Sequence, residues 1–68
     1  MRINELKALR INKSLSQKEV GRLISKNEHY ISEIEYGKCE VKLEDGYLLS
    51  KIYNVTIEEL YIASKTFL

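Results

Sequence analysis

The chain has 68 residues, of which 44% are hydrophobic and 31% are charged, and its formal net charge is +1. This length accommodates one small domain without a second core, and a chain of this size buries only roughly 60% of the surface that its unfolded form exposes. The composition is typical of a globular domain, no apolar run is long enough to span a membrane, and the first residues lack a signal-peptide pattern. We therefore expect a cytoplasmic protein that does not associate with membranes.

The distribution of charge is more informative than its sum. Residues 1–26 hold seven Lys and Arg against two acidic residues, whereas residues 27–68 hold four against eight. Such asymmetry favours a polyanionic partner on one side of the molecule, and a solvated surface with scattered charges is the alternative. The single cysteine, Cys39, excludes an internal disulfide and a cysteine-rich zinc site. We interpret it as an ordinary loop thiol rather than a redox switch.

A first helix is predicted over residues 2–12, which are mostly good helix formers. Its apolar side chains recur at helical spacing and share one face: Ile3, Leu6 and Leu9. Leu15 follows a polar turn and precedes the next helix, where it supplies the apolar half of a hydrophobic staple.

Residues 16–37 predict two short helices joined by a tight turn. Ser16 is an N-cap residue, and Glu19 three residues later completes a capping box, in which each side chain bonds the backbone amide of the other. The helix that follows has one apolar face, formed by Val20, Leu23 and Ile24. The connecting turn over residues 24–27 is polar and contains no glycine.

The second helix of this pair begins after Asn27, which is a cap residue, and ends at Gly37, which supplies a positive φ. Ile31 and Ile34 form its buried side. Two helices of this length joined by about four residues constitute a helix-turn-helix unit, and we predict that this unit is the functional site.

A fourth helix is predicted to begin at about Leu43. Its interior contains Gly46, at a cost of roughly 1 kcal/mol against alanine. Thr56 caps a fifth helix with two carboxylates in its first turn, where they favour the helix dipole. The apolar stripe of the fourth helix is predicted to be Leu43, Tyr47, Leu48 and Ile52.

The chain is therefore predicted to be all-α, with five short helices and no strand. Residues 62–68 are predicted to form a short C-terminal tail. Since no core is left to bury all of the apolar side chains near this end, we expect them to support a homodimer: Tyr61, Ile62, Phe67 and Leu68.

Several of these fragments together resemble the Xre-type (Cro/phage repressor-like) helix-turn-helix family. They fall at the spacing of the family without a gap from about Ile3 to Tyr61. The residues that support the resemblance are Arg10, Leu15-Ser16-Gln17, Val20-Gly21, Tyr30-Ile31-Ser32, Ile34-Glu35, Gly37-Lys38, Leu43-Glu44 and Val55-Thr56 with Glu58-Glu59-Leu60-Tyr61.

The resemblance implies that residues 1–61 are a phage-repressor-like DNA-binding domain. In such a domain residues 17–24 cross the DNA backbone and residues 28–36 enter the major groove of double-stranded DNA. Arg10 and Glu35 hold the positions of a structural ion pair of the family. The positions that contact base edges are Glu28, His29, Ser32 and Glu33. Phosphate contacts are expected from family positions, from flanking cations and from a tyrosine near the DNA: Gln17, Lys18, Lys26, Asn27, Tyr30, Lys38 and Lys42.

This chain departs from the pattern of the family at Gly21, Ser25, Lys26, Val41 and Gly46 and in the charge of the groove-entering helix. The family prefers glycine at position 25, where this chain has Ser25. The groove-entering helix is also acidic, because residues 27–36 contain Glu28, Glu33 and Glu35 and no Lys or Arg. If Glu35 pairs with Arg10, two carboxylates face outward. A carboxylate can accept a hydrogen bond from cytosine N4, so such a helix is able to contact bases.

Other chemistry is poorly supported. His29 with Glu28 and Glu33 on one short helix is a poor metal-binding set, and His29 and Glu33 at i, i+4 form a simpler side-chain pair. A single histidine on a surface helix supports no catalytic arrangement, so we predict no enzyme, no cofactor and no small-molecule ligand.

The sequence therefore predicts a sequence-specific DNA-binding transcriptional regulator that acts as a homodimer, with repression favoured over activation. The alternative is a protein-interaction module, antitoxin-like or anti-repressor-like, that keeps the helix-turn-helix scaffold but binds little DNA.

Overall fold

The computed structural model describes residues 2–68 and confirms the predicted all-α fold. Within these residues the only extended pairing is a single antiparallel bridge between Asn4 and Phe67. No helix in this part of the chain is long and apolar enough to cross a membrane. The five helices are α1 (Leu6–Asn12), α2 (Gln17–Leu23), α3 (Glu28–Glu35), α4 (Leu43–Tyr53) and α5 (Ile57–Lys65).

The predicted helix caps are present. Ser16 Oγ accepts from the Glu19 amide at 3.0 Å, and a Glu19 carboxylate oxygen accepts from the Ser16 amide at 2.8 Å. Thr56 and Glu59 form the same capping box at the start of α5. Gly37 ends α3 with φ +73°, a conformation that side chains disfavour.

The first helix starts later than predicted, at Leu6 instead of residue 2, because Asn4 is drawn into the core. The side-chain amide of Asn4 donates to the Ile34 carbonyl at 2.7 Å and to the Ser64 carbonyl at 3.1 Å, while its Oδ1 accepts from the Leu6 amide. These carbonyls lie near the C-terminal ends of α3 and α5, where helix carbonyls lack intrahelical partners. Asn4 therefore joins three helices, which an early helical turn would prevent.

The core is formed by one cluster of side chains from all five helices and the loop before α4. The buried members are Leu6, Val20, Ile24, Ile31, Ile34, Val41, Leu49, Tyr53, Leu60 and Ala63. Leu23, predicted to lie on the apolar face of α2, is instead exposed. The buried side of this segment is formed instead by Val20 and Ile24, which are four residues apart and therefore share one face.

The buried face of α4 differs from the predicted stripe. Leu43 is 73% exposed, and Tyr47 and Leu48 are exposed as well. The buried residues are Asp45, Gly46, Leu49, Ser50 and Tyr53. The physical reason is Gly46, since the ring of Tyr61 from α5 lies directly against it and orients this face of α4 inward.

The end of the chain packs on its beginning. Helix α5 extends to Lys65, so residues 62–65 are helical. The ring of Phe67 lies against Gly37, and the amide of Leu68 donates to the Ile3 carbonyl at 2.8 Å. Phe67 is therefore half-buried against Gly37, whereas Ile62 and Leu68 are exposed, so the core absorbs only part of this apolar stretch, as predicted.

Candidate nucleic-acid interface

The turn between α2 and α3 sets the angle of the two helices. Ser25 adopts the left-handed conformation with φ +60°, at the position where the related family prefers glycine. The Lys26 amide donates to the Gly21 carbonyl at 2.7 Å, and the side chain of Asn27 accepts from the Tyr30 amide at 2.9 Å. The backbone of the turn is therefore bonded to the last turn of α2 and the first turn of α3.

A buried carboxylate joins α3 to the rest of the domain. Glu35 is fully buried and accepts from Arg10 Nε at 2.7 Å and Arg10 Nη2 at 3.2 Å. Arg10 Nη1 also donates to the Leu15 carbonyl at 3.0 Å, just before α2. The hydrogen bond with Glu35 raises the pKa of the Arg10 guanidinium. This bidentate pair, contributed by α1 and α3, holds the position of α3.

Gln17, at the start of α2, is the third donor to the same carboxylate. Its Nε2 donates to Glu35 Oε1 at 3.1 Å. An amide nitrogen has two hydrogens, so one remains beyond the bond to Glu35. The bond to Glu35 thus holds the side chain of Gln17 in one orientation. Gln17 lies at the N-terminal end of α2, which is predicted to approach a phosphate.

The four residues predicted to contact bases share one face of α3. Glu28 and His29 are exposed, and Ser32 and Glu33 are partly exposed one turn later. His29 Nε2 lies 3.5 Å from Glu33 Oε2, which is the predicted i, i+4 pair. The opposite face holds Ile31, Ile34 and Glu35 inside the domain. This outward face can enter the major groove of DNA, and the face carries a negative charge.

Tyr30 is placed differently from the other predicted phosphate contacts. Its hydroxyl donates to Asp45 Oδ2 at 2.7 Å, and Asp45 itself is only 2% exposed. Burial, followed by this hydrogen bond, raises the pKa of the Tyr30 hydroxyl above its ordinary value. Because a phosphate only accepts hydrogen bonds, contact through this hydroxyl requires the bond to α4 to break. We therefore assign Tyr30 to the α3–α4 contact and not to the phosphate set.

The predicted phosphate-binding cations lie on the surface around α3. Lys18, Lys38 and Lys42 are exposed, and Lys26 is half-buried with its Nζ 5.6 Å from the centre of the Tyr30 ring. Arg22 is a further exposed cation, one turn after Lys18 on α2, which the motifs in the sequence did not indicate. The i, i+4 spacing of these two cations is the signal that identifies it.

Comparison with known proteins agrees with this geometry. The family model HTH_3, described as a helix-turn-helix, matches residues 6–60, from the first residue of α1 into α5. The chain belongs to the Xre/Cro-like helix-turn-helix family. A comparison with curated proteins gave no match. As a member of this helix-turn-helix family the protein is a DNA-binding regulator, and α2 and α3 are its helix-turn-helix unit.

Proposed function

We propose that this helix-turn-helix protein is a sequence-specific transcriptional repressor that binds an operator as a homodimer, with α3 in the major groove. The observation that supports this most directly is the attachment of α3: Glu35, Arg10 and Gln17 hold its buried side while its opposite face remains free. A rigidly held helix with a free polar face is what contact with base edges requires. Repression is proposed because a small domain can block a promoter by occupying it.

The proposed contacts divide into two classes with different consequences. Contacts to phosphate provide most of the affinity and little sequence information, and contacts to base edges provide the reverse. We assign the contacts with base edges to Glu28, His29, Ser32 and Glu33. We assign the contacts with phosphates to Gln17, Lys18, Lys26, Asn27, Lys38 and Lys42.

A homodimer is proposed because one α3 spans too few base pairs to specify an operator, and dimers of such domains bind half-sites roughly 34 Å apart. The structure offers a surface for it away from α3. An open apolar groove of about 860 Å³ lies between the start of α4 and α5, and its apolar lining is Leu43, Ile57, Tyr61 and Ile62. Tyr61 and Ile62 belong to the predicted C-terminal contact and line this groove, whereas Phe67 is packed on Gly37. The groove is therefore the proposed contact.

The test of function is a selection of bound sequences from random duplex DNA, followed by titration of the selected operator and a scrambled duplex across a salt series. We expect the operator to be preferred. Glu28→Gln and Glu33→Gln are expected to strengthen binding to the scrambled duplex, because each removes a charge that phosphates repel. If either carboxylate accepts from cytosine, its change also relaxes discrimination at one base pair by about 1–3 kcal/mol.

The matched control is Glu5→Gln, which removes an equal charge just before α1, outside both the proposed DNA interface and the proposed dimer groove, where the Glu5 side chain makes no capping hydrogen bond. Equal effects of all three substitutions would show that only net charge matters, and no preference for any sequence would overturn the proposal.

The interaction-module alternative rests on one observation, the absence of Lys and Arg from residues 27–36. It predicts that the wild-type chain binds no duplex even at low salt and that the acidic face of α3 binds a basic protein instead.

A further inference from the structure

Asp45 is a buried carboxylate that takes part in no ion pair within residues 2–68. It lies in the first turn of α4 and is 2% exposed. A buried charge without a cation is costly unless hydrogen bonds and dipoles compensate it. The first turn of a helix favours a carboxylate, but the neighbouring Glu44 has the same advantage while it is exposed to solvent. The dipole of α4 therefore does not explain why Asp45 is inside the domain.

The partner of Asp45 belongs to α3. The hydroxyl of Tyr30, in the first turn of α3, donates to Asp45 Oδ2 at 2.7 Å. The ring of Tyr30 also lies 5.6 Å from Lys26 Nζ in the preceding turn, and its backbone amide donates to the side chain of Asn27. Tyr30 therefore connects the turn and the beginning of α3 to α4 through Asp45.

Tyr30 and Glu35 attach opposite edges of the buried side of α3. At 3.6 residues per turn, side chains five positions apart differ by about 140° around the helix axis. Ile31 and Ile34, which are buried in the core, lie between these two edges. The hydrophobic effect has no direction, whereas a hydrogen bond depends on the angle between its groups. Two hydrogen-bonded contacts on opposite edges therefore fix the rotation of α3 about its own axis.

This rotation determines which atoms α3 presents to DNA. The proposed base contacts occupy the outward arc between the two edges, with Glu33 next to Tyr30 around the helix and Glu28 next to Glu35. A rotation of about 20° moves an atom that is about 5 Å from the axis by roughly 2 Å. Such a displacement is larger than the range of hydrogen-bond lengths, so it breaks a contact with a base edge.

We propose that Asp45 is a positioning residue for base recognition, which fixes the rotation of α3 through the hydroxyl of Tyr30 without touching DNA. This inference rests on the proposed function and deepens it, since it assigns part of the sequence specificity to a buried residue of α4. The Arg10–Glu35 pair holds the other edge of α3. A purely structural role predicts only a loss of stability, whereas the positioning role also predicts a loss of discrimination between DNA sequences.

The test compares binding to the selected operator and to a scrambled duplex, at a temperature at which unfolding curves show that every variant is folded. Tyr30→Phe keeps the ring and removes the hydroxyl, and Asp45→Leu removes the acceptor. Each is expected to lower the ratio of operator affinity to scrambled affinity by roughly tenfold, which corresponds to the loss of one well-placed base contact. Tyr30→Phe is expected to leave the affinity for the scrambled duplex unchanged, because phosphate contacts provide that affinity.

Two control variants separate the hydrogen bond from charge and from stability. Asp45→Asn removes the same charge as Asp45→Leu, but its carbonyl oxygen can still accept from the Tyr30 hydroxyl. Ala63→Gly lowers stability through the helix propensity of α5, which packs on α1 and α4. Both variants are expected to keep the wild-type ratio of the two affinities.

The outcomes separate this inference from the proposed function. If the wild-type protein prefers the operator and Tyr30→Phe and Asp45→Leu prefer it equally, α3 keeps its rotation without Asp45 and the inference is overturned. The inference is also overturned if Asp45→Asn loses as much discrimination as Asp45→Leu, because charge is then the cause. The same loss in Ala63→Gly overturns it as well, because reduced stability is then the cause. A wild-type protein that prefers no sequence overturns the proposed function itself, and with it the base recognition that Asp45 serves.

Discussion

Glu35 is the residue on which the attachment of α3 depends most. Its carboxylate is fully buried and accepts three hydrogen bonds, two from Arg10 and one from Gln17. Such a charge is tolerated inside a small domain because its partner is a cation in bidentate geometry. Removing either partner leaves the other charge buried without compensation, which is far more costly than never having had the pair.

We therefore expect Glu35→Ala to lower the free energy of unfolding by about 3–5 kcal/mol. The whole domain is expected to have only about 3–10 kcal/mol of stability, so this variant should be largely unfolded near its former melting temperature. Glu33→Ala, in the same helix but partly exposed, should cost less than about 1 kcal/mol. Urea unfolding of both variants measures the difference. Equal, small effects would mean that Glu35 faces solvent.

Tyrosines with raised pKa values make the stability of the protein depend on pH in the alkaline range. Burial raises the pKa of Tyr30 and of Tyr53 above the ordinary value near 10. Above that value the unfolded chain releases these protons while the folded chain keeps them. The unfolded state then binds fewer protons, so stability falls as pH rises from about 10 through the raised folded values. Below pH 10 the full contribution is present.

Tyr30→Phe is expected to act in two ways. At neutral pH it leaves the buried Asp45 without its donor, at a cost of about 1–3 kcal/mol. Above pH 10 it removes one of the tyrosine protons that the folded state retains, so its stability falls less steeply than that of the wild type. Urea unfolding from pH 7 to pH 11 measures both effects, with Tyr36→Phe at an exposed ring as the control for loss of a hydroxyl. Parallel profiles for Tyr30→Phe and wild type would contradict the assignment.

At the level of elements, the contact between α4 and α5 depends on a glycine. A Cβ at position 46 would lie 2.7 Å from the hydroxyl oxygen of Tyr61, which is too close for any real contact. The hydroxyl of Tyr61 is held in place, because it donates to the Val41 carbonyl at 2.8 Å. Gly46 thus weakens α4 as an isolated helix and allows α5 to pack directly on it.

Gly46→Ala should therefore destabilise the protein by about 1–3 kcal/mol, although alanine is the better helix former. In a Tyr61→Ala background the same substitution should stabilise it by roughly 1 kcal/mol, because only helix propensity remains. The measurement is a double-mutant cycle of unfolding free energies. The same sign in both backgrounds would show that Tyr61 is not what excludes the methyl group.

At the level of the whole molecule, the two proposed surfaces are separate. The proposed DNA-facing surface consists of α2, α3 and the loop after α3, and the apolar groove proposed for the second copy is formed by α4 and α5. This separation allows self-association to be removed without touching the DNA contacts.

Ile62→Glu is expected to raise the monomer fraction in sedimentation and to weaken operator binding. Ile62 is 64% exposed in the isolated chain, so the substitution should leave the unfolding free energy almost unchanged. The control is Ile11→Glu, a similarly exposed isoleucine on α1. A wild-type chain that stays monomeric on DNA, with one protein per operator, would contradict the homodimer.

Several features of this molecule followed from the sequence alone, and these features are local. The capping box at Ser16, the cap at Asn27 and the stop at Gly37 involve residues within four positions of one another, so their geometry depends only on helix periodicity. The outward face of α3 followed in the same way, because Ile31 and Ile34 define its buried side. The five helices and the helix-turn-helix unit were therefore predictable.

Apart from the Arg10–Glu35 pair, which the resemblance to the family implied, the tertiary structure decided what depends on contacts distant in sequence. Which face of α4 is buried depends on Tyr61, fifteen positions beyond Gly46, and the late start of α1 depends on carbonyls of α3 and α5 that bind Asn4. The hydroxyl of Tyr30 is bound by Asp45 on the next helix, and Phe67 is packed on Gly37. Helix periodicity specifies which side chains share a face, but only packing against the other helices determines which face is covered.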